Sequence, residues 1–153
     1  MTAALVVLVL LGNGLTAGIM LSTVIGITPL TNAQSYDRYV ETIQFLWPRY
    51  DPFMPITHLL TIAADAGLVF AAPDAGSRAL FGAAGAVLLV VMAISLVKNV
   101  PINRYVMSLD PAARPAGWEQ ADPRVRWRNW NMLRTSLALA GLAVNAAAVA
   151  ALI

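Results

Sequence analysis

Residues 79–97 read ALFGAAGAVLLVVMAISLV, nineteen positions without a charge, set between Arg78 and Lys98. Wound as an α-helix at about 1.5 Å per residue, that run is long enough to cross a hydrocarbon core of about 30 Å. Three more runs have the same character: Ala3 to about Leu30, Pro55 to about Ala72, and about Met132 to Ile153. Together they predict an all-α fold, a transmembrane four-helix bundle forming a single domain over residues 1–153. Its spans are expected at about 3–30, 55–72, 79–98 and 123–152. Composition agrees: 59% of residues are hydrophobic, 12% are charged, and the mean hydropathy is +0.69. Soluble domains carry about a quarter charged residues. The chain has no Cys and one His. That excludes a disulfide framework, a thiolate nucleophile and a Cys- or His-rich metal centre, so no metal is expected. The first run lacks a basic leader and is longer than a signal-peptide core, so it is read as a retained span.

The basic residues give an orientation. The 1–2 and 3–4 connections and their flanks hold Arg38, Arg49, Lys98, Arg104, Arg114, Arg124, Arg126, Arg128 and Arg134, against Arg78 alone at the other end. Positive-inside bias then places both connections in the cytoplasm and both termini outside, in an integral membrane protein expected in a bacterial inner membrane. In the 1–2 connection Tyr36, Val40, Ile43 and Trp47 share one helical face, which predicts an amphipathic helix lying at the membrane interface. Pro48, Pro52 and Pro55 end it, and Pro29 marks the exit of the first span. Pro73-Asp74-Ala-Gly76-Ser77 is a tight turn between antiparallel spans. Pro101 breaks the third span. Asp122-Pro123 reads as an N-cap and first helical residue, giving a fourth helix that extends into the cytoplasm. Gly14 and Gly18, with Gly12 and Ala17 nearby, have the small-residue spacing of a close helix contact.

Polar residues within these runs are the candidates for a site. His58, Thr61 and Asp65 form one stripe of the second span, and Asn13 and Thr16 of the first span and Asn145 of the fourth lie at comparable depth. Asn13, Thr16, Thr61 and Asp65 are expected to be structural, with Asp65 bonded to Asn13 or Thr16. The densest polar patterns sit at two span ends. Asn99 and Asn103 flank Pro101, and Trp127, Asn131 and Arg134 share a helical face beside Trp130. Either they stack on a continuous helix or they cap a break and line a cavity. Arg124 and Arg128 are expected to meet lipid headgroups.

Leu15-Thr16-Ala17-Gly18, Asn99-Val-Pro101-Ile-Asn103 and Trp127-x-x-Trp130-Asn131-x-x-Arg134-Thr135 resemble the anthrone-oxygenase-like family of small four-helix membrane proteins. The resemblance covers nearly the whole chain. It implies a polar cluster near one membrane face and, for members linked to aromatic polyketides, oxidation of anthrones to anthraquinones by O2 without a metal, flavin or other cofactor. Such chemistry needs a base, donors for a developing oxyanion and an apolar pocket. His58 is the side chain whose ordinary pKa suits the base. His58 and Arg134 are therefore the catalytic candidates. Asn99, Asn103, Trp127, Trp130 and Asn131 are the substrate-binding candidates.

Two other classes stay open: a non-enzymatic membrane small-molecule binder or transporter subunit, and a structural membrane protein packing on itself as a homo-oligomer or on another chain. The expected partners are a lipophilic small molecule and membrane lipid. Nucleic acid is not expected, because the basic residues sit where lipid headgroups would be.

Overall fold

The computed structural model describes residues 2–152. Its elements in chain order are α1 (Thr2–Ser22), a π-helical turn (Thr23–Ile27), α2 (Thr28–Ala33), α3 (Tyr36–Tyr50), α4 (Phe53–Ala71), α5 (Ala75–Ile94), a second π-helical turn (Ser95–Asn99), α6 (Val100–Met107), α7 (Trp118–Ala121) and α8 (Arg124–Ala150). The described residues contain no strand, and four helical rods are long and apolar enough to cross a membrane. α1, α4, α5 and α8 form the bundle, and each packs on the next, with α8 closing back on α1. Large apolar side chains face outward along all four, among them Leu11, Leu59, Leu89, Leu133 and Phe70, which is 84% exposed. In water such a surface would be an aggregation hazard; against acyl chains it is the expected solvent-facing layer.

The interior alternates apolar and polar layers. At the end holding the α4–α5 turn, Val9, Leu68, Phe81 and Ala148 pack together. Asn13, Asp65 and Asn145 come next, fully or almost fully buried. A second apolar layer of Ala17, Met20, Val91 and Ala138 follows. Beyond it lies the polar region of His58, Asn131 and Arg134, capped by Tyr36, Tyr39, Ile43, Val106 and Trp118.

The two π-helical turns are the chief departure from the expected elements. Pro29 does not end the first rod, and Pro101 does not break the third; the helix continues to Ala33 and to Met107. In both places the turn closes with an i→i+5 bond, from Thr28 N–H to Thr23 O and from Val100 N–H to Ser95 O. The proline follows two positions after the turn. A proline ring clashes with the carbonyl four residues back and donates no N–H, and a widened turn just upstream relieves that conflict without ending the helix. Pro48 likewise sits inside the last turn of α3, which runs to Tyr50.

Polar capping fixes the ends. Asp74 accepts from the Ser77 hydroxyl at 2.6 Å and from its N–H at 2.9 Å, which starts α5. The Ser77 hydroxyl and then its N–H hold the Asp74 carboxyl below the usual carboxylate range. Asp122 accepts from Arg124 N–H at 2.9 Å at the head of α8. Arg124 does not face outward: its Nη1 donates to Thr31 O and Gln34 O, carbonyls at the end of α2. α3 is amphipathic as expected, and its apolar face rests on α6 and on Trp118 rather than standing apart from the bundle. Gly117, at φ +73°, makes the left-handed turn that admits Trp118 to this cap.

The close-approach glycines differ from the pair the spacing suggested. Gly14 and Gly18 have no neighbour that a side chain would meet, whereas a Cβ on Gly12 would lie 2.2 Å from Thr61 Oγ1. Thr61 could turn away only by giving up its 2.8 Å bond to Thr57 O. Gly12→Ala is therefore expected to destabilise the bundle by about 1–3 kcal/mol, and Gly14→Ala and Gly18→Ala to be neutral. Thermal unfolding of the three variants in detergent would reveal a wrong helix register if all three behaved alike.

Candidate functional site

Between the second apolar layer and the cap lies a cavity of about 150 Å³. Its walls come from every rod: Met20 and Thr23 from the first, Trp47 from α3, Met54 and His58 from α4, Met92, Ser95 and Asn103 from the third, and Trp127 and Arg134 from α8. The exposed residues Asp51, Pro55 and Leu96 mark its mouth.

His58 is buried, 6% exposed. Its Nδ1 lies 3.1 Å from Met54 O one turn earlier on the same helix. A carbonyl only accepts, so Nδ1 carries the hydrogen and the neutral ring presents a lone pair at Nε2. That Nε2 is buried and has no hydrogen-bond partner.

Arg134 is held by two neighbours. Its Nε and Nη2 both donate to Asn131 Oδ1, at 3.1 and 2.9 Å, and its Nη1 donates to Ser95 Oγ at 2.9 Å. A guanidinium has five N–H groups, so one remains on each Nη nitrogen. No carboxylate pairs with Arg134 among the described residues. Asn131 is anchored in turn by donating to Thr23 Oγ1 at 2.8 Å. Each acceptor hydroxyl sends its own hydrogen to a backbone carbonyl, Thr23 to Met20 O at 2.7 Å and Ser95 to Val91 O at 2.8 Å. The guanidinium is thus fixed in place by the first residues of the two π-helical turns.

The Asn-x-Pro-x-Asn segment clamps Trp127. Asn99 donates to Trp127 O at 3.3 Å, and the Trp127 indole N–H donates to Asn103 Oδ1 at 2.9 Å. Because the helix continues through Pro101, both amides stay on one face. Trp127→Phe keeps the aromatic wall but drops one of these bonds, so a loss of about 1 kcal/mol is expected; the unfolding midpoint should fall by a few degrees. An unchanged midpoint would mean that the clamp contributes nothing.

His58, Arg134, Asn103 and Trp127 therefore line one cavity. Asn131 and Asn99 are fully buried behind it. Trp130 lies elsewhere, beside a shallow surface groove with Asp122, Arg126 and Asn129, with Lys98 Nζ 5.0 Å from its ring centroid. Asn13, Thr16, Thr61 and Asp65 are buried away from the cavity. Thr16 bonds to Gly12 O and Asn13 O, and Thr61 to Thr57 O. The expected bond from Asp65 to Asn13 or Thr16 is not formed. Thr23 and Ser95 were not foreseen. Their signal was present in the chain, since each stands six residues before a proline, Pro29 and Pro101.

The family model for anthrone oxygenase matches residues 44–144, from within α3 almost to the end of α8. The chain belongs to the anthrone oxygenase family. The matched segment holds His58, Asn99, Asn103, Trp127, Asn131 and Arg134, whereas α1, with Thr16 and Gly18, lies outside it. No curated protein and no solved structure matches the chain. For an anthrone oxygenase family member, an apolar chamber with one free imidazole nitrogen and one unpaired guanidinium is a chemically coherent site.

Proposed function

We propose that the protein is a membrane-embedded oxygenase that uses O2, without a cofactor, to oxidise an anthrone-like aromatic drawn from the lipid phase. The observation that carries this reading is the His58 Nε2 lone pair, buried and unpartnered on a residue that lines the same cavity as Arg134. An anthrone has an acidic C–H and a ring carbonyl at opposite positions of its central ring. His58 Nε2 takes the proton, and the electron pair left behind spreads to the carbonyl oxygen. The two free N–H groups of Arg134 stabilise the resulting oxyanion. O2 adds at the deprotonated carbon to give, with return of a proton, a hydroperoxide. Loss of water from it leaves the second ring carbonyl, so one anthrone and one O2 yield one anthraquinone and one water.

The walls suit such a ligand. Trp47 and Trp127 offer ring faces, and Met20, Met54 and Met92 are side chains that adapt their shape. A volume near 150 Å³ accommodates about one aromatic ring, so a fused polycycle extends through the mouth at Pro55 and Leu96. Both lie on the outward surface of the bundle, which suits entry from lipid. We further assign the basic end to the cytoplasm and α3 to the membrane interface, on the positive-inside bias.

The experiment is oxygen uptake by purified protein in detergent or vesicles on addition of an anthrone, against the spontaneous oxidation rate. One O2 consumed per anthraquinone, at a rate proportional to protein, is the expected result. Uptake equal to that of protein-free vesicles would remove the enzymatic reading.

A further inference from the structure

The polar layer nearer the α4–α5 turn takes no part in that chemistry. Asn13 and Asn145 are 0% exposed and Asp65 is 1% exposed. Every side-chain oxygen and nitrogen of the three is buried without a hydrogen-bond partner. Leaving such groups unpaired is among the more expensive arrangements in a protein, and more so where no water surrounds the helices. Their contacts place them on the bundle axis. Asn145 of α8 is the polar neighbour of the Asp65 carboxyl of α4 across the diagonal. Asn13 Nδ2 of α1 lies 3.5 Å from where Gly141 of α8 would carry a Cβ, one turn before Asn145. Gly85 of α5 leaves the space that Asp65 fills, for a Cβ there would stand 3.2 Å from the Asp65 Cβ.

No cation balances this carboxyl. None of the ion pairs among the described residues includes Asp65. α1 carries no ionisable side chain, and on α5 the one such residue is Arg78 in its first turn. Arg134 is eleven residues from Asn145 along α8, roughly 16 Å at 1.5 Å per residue. The oxygen donors this layer offers are the Asp65 carboxylate and the amides of Asn13 and Asn145, all buried. The Thr16 and Thr61 hydroxyls lie close by in sequence on the same buried faces, with their hydrogens committed to backbone carbonyls. An all-oxygen donor set with a single negative charge suits a hard ion of charge +1.

We propose that Asn13, Asp65 and Asn145 form a second site within the bundle that binds one small, hard monovalent cation of the sodium type. It shares no residue with the His58–Arg134 cavity, so it stands or falls apart from the oxygenase reading. The amides supply neutral oxygens, and the carboxylate supplies the charge. The apolar layers on either side keep bulk water and larger ions away. The bound ion ties α1, α4 and α8 together.

The test is the unfolding midpoint of the full chain in detergent, titrated with sodium chloride against choline chloride at constant ionic strength. The wild-type midpoint is expected to rise saturably with sodium, on the order of 5 °C, and Asp65→Asn, which keeps the shape but not the charge, is expected to lose that rise. Sodium-23 line broadening by the wild type gives a reading that needs no variant, should Asp65→Asn fail to fold. Equal midpoints in sodium and choline for the wild type, a sodium response that persists in Asp65→Asn, or no line broadening would each overturn the assignment.

Discussion

His58→Ala is expected to lower anthrone-dependent oxygen uptake by about 10²–10⁴-fold, the range over which a positioned general base accelerates proton transfer. The expectation rests on a narrow structural point. The His58 ring makes one hydrogen bond, to Met54 O of its own helix, and leaves Nε2 unpartnered. Alanine therefore removes the base without orphaning a partner on another helix, and it favours helix at that position. Unfolding should stay near wild type while turnover collapses. Added imidazole should restore part of the rate, because the substitution enlarges the cavity at the place where the base is needed. If His58→Ala turned over at the wild-type rate, the base would have to be another group, and the assignment of His58 would be wrong even with the reaction intact.

Arg134→Ala carries the second large effect. Removing an oxyanion donor typically costs about 10²–10³ in turnover, and Arg134 offers two free N–H groups. Here a structural loss accompanies the catalytic one. Asn131 Oδ1 and Ser95 Oγ would both lose their donor, a destabilisation of about 1–3 kcal/mol. Arg134→Lys separates the two. Lysine keeps the charge but cannot reach both acceptors with a rigid fork, so it should recover more stability than activity. Equal recovery of both would mean that Arg134 acts only as a bundle cross-link.

Much of the architecture was written in the hydropathy of the chain. The four apolar runs, the tight turn at residues 73–77, the amphipathic face of residues 36–47 and the start of the last helix near Pro123 follow from period, turn and capping chemistry alone. The prolines misled, because a ring two positions after a widened turn is tolerated, and widening depends on helix packing that composition does not encode. Gly14 and Gly18 misled for a related reason: their spacing fits a contact, but the glycine that meets α4 is Gly12, two positions before Gly14. At the site, His58 and Arg134 were legible as polar outliers in apolar runs. Their sharing of one cavity was not, since they lie 76 positions apart in sequence and meet only through the packing of the bundle. Trp130 had the same motif signal as Trp127 but lines a surface groove outside the cavity, with Lys98 beside its ring. Arg124 looked like a headgroup ligand and instead donates to carbonyls at the end of α2.

The central claim is that the chamber between His58 and Arg134 receives a planar aromatic ketone. Photolabelling of the membrane-embedded protein with an anthraquinone-shaped aromatic ketone, read by mass spectrometry of the adducts, addresses it most directly. The account predicts adducts on Met20, Met54, Met92 or Trp127, competed away by unlabelled anthraquinone. Adducts confined to outward-facing side chains such as Phe70 and Leu133, unaffected by competitor, would contradict it.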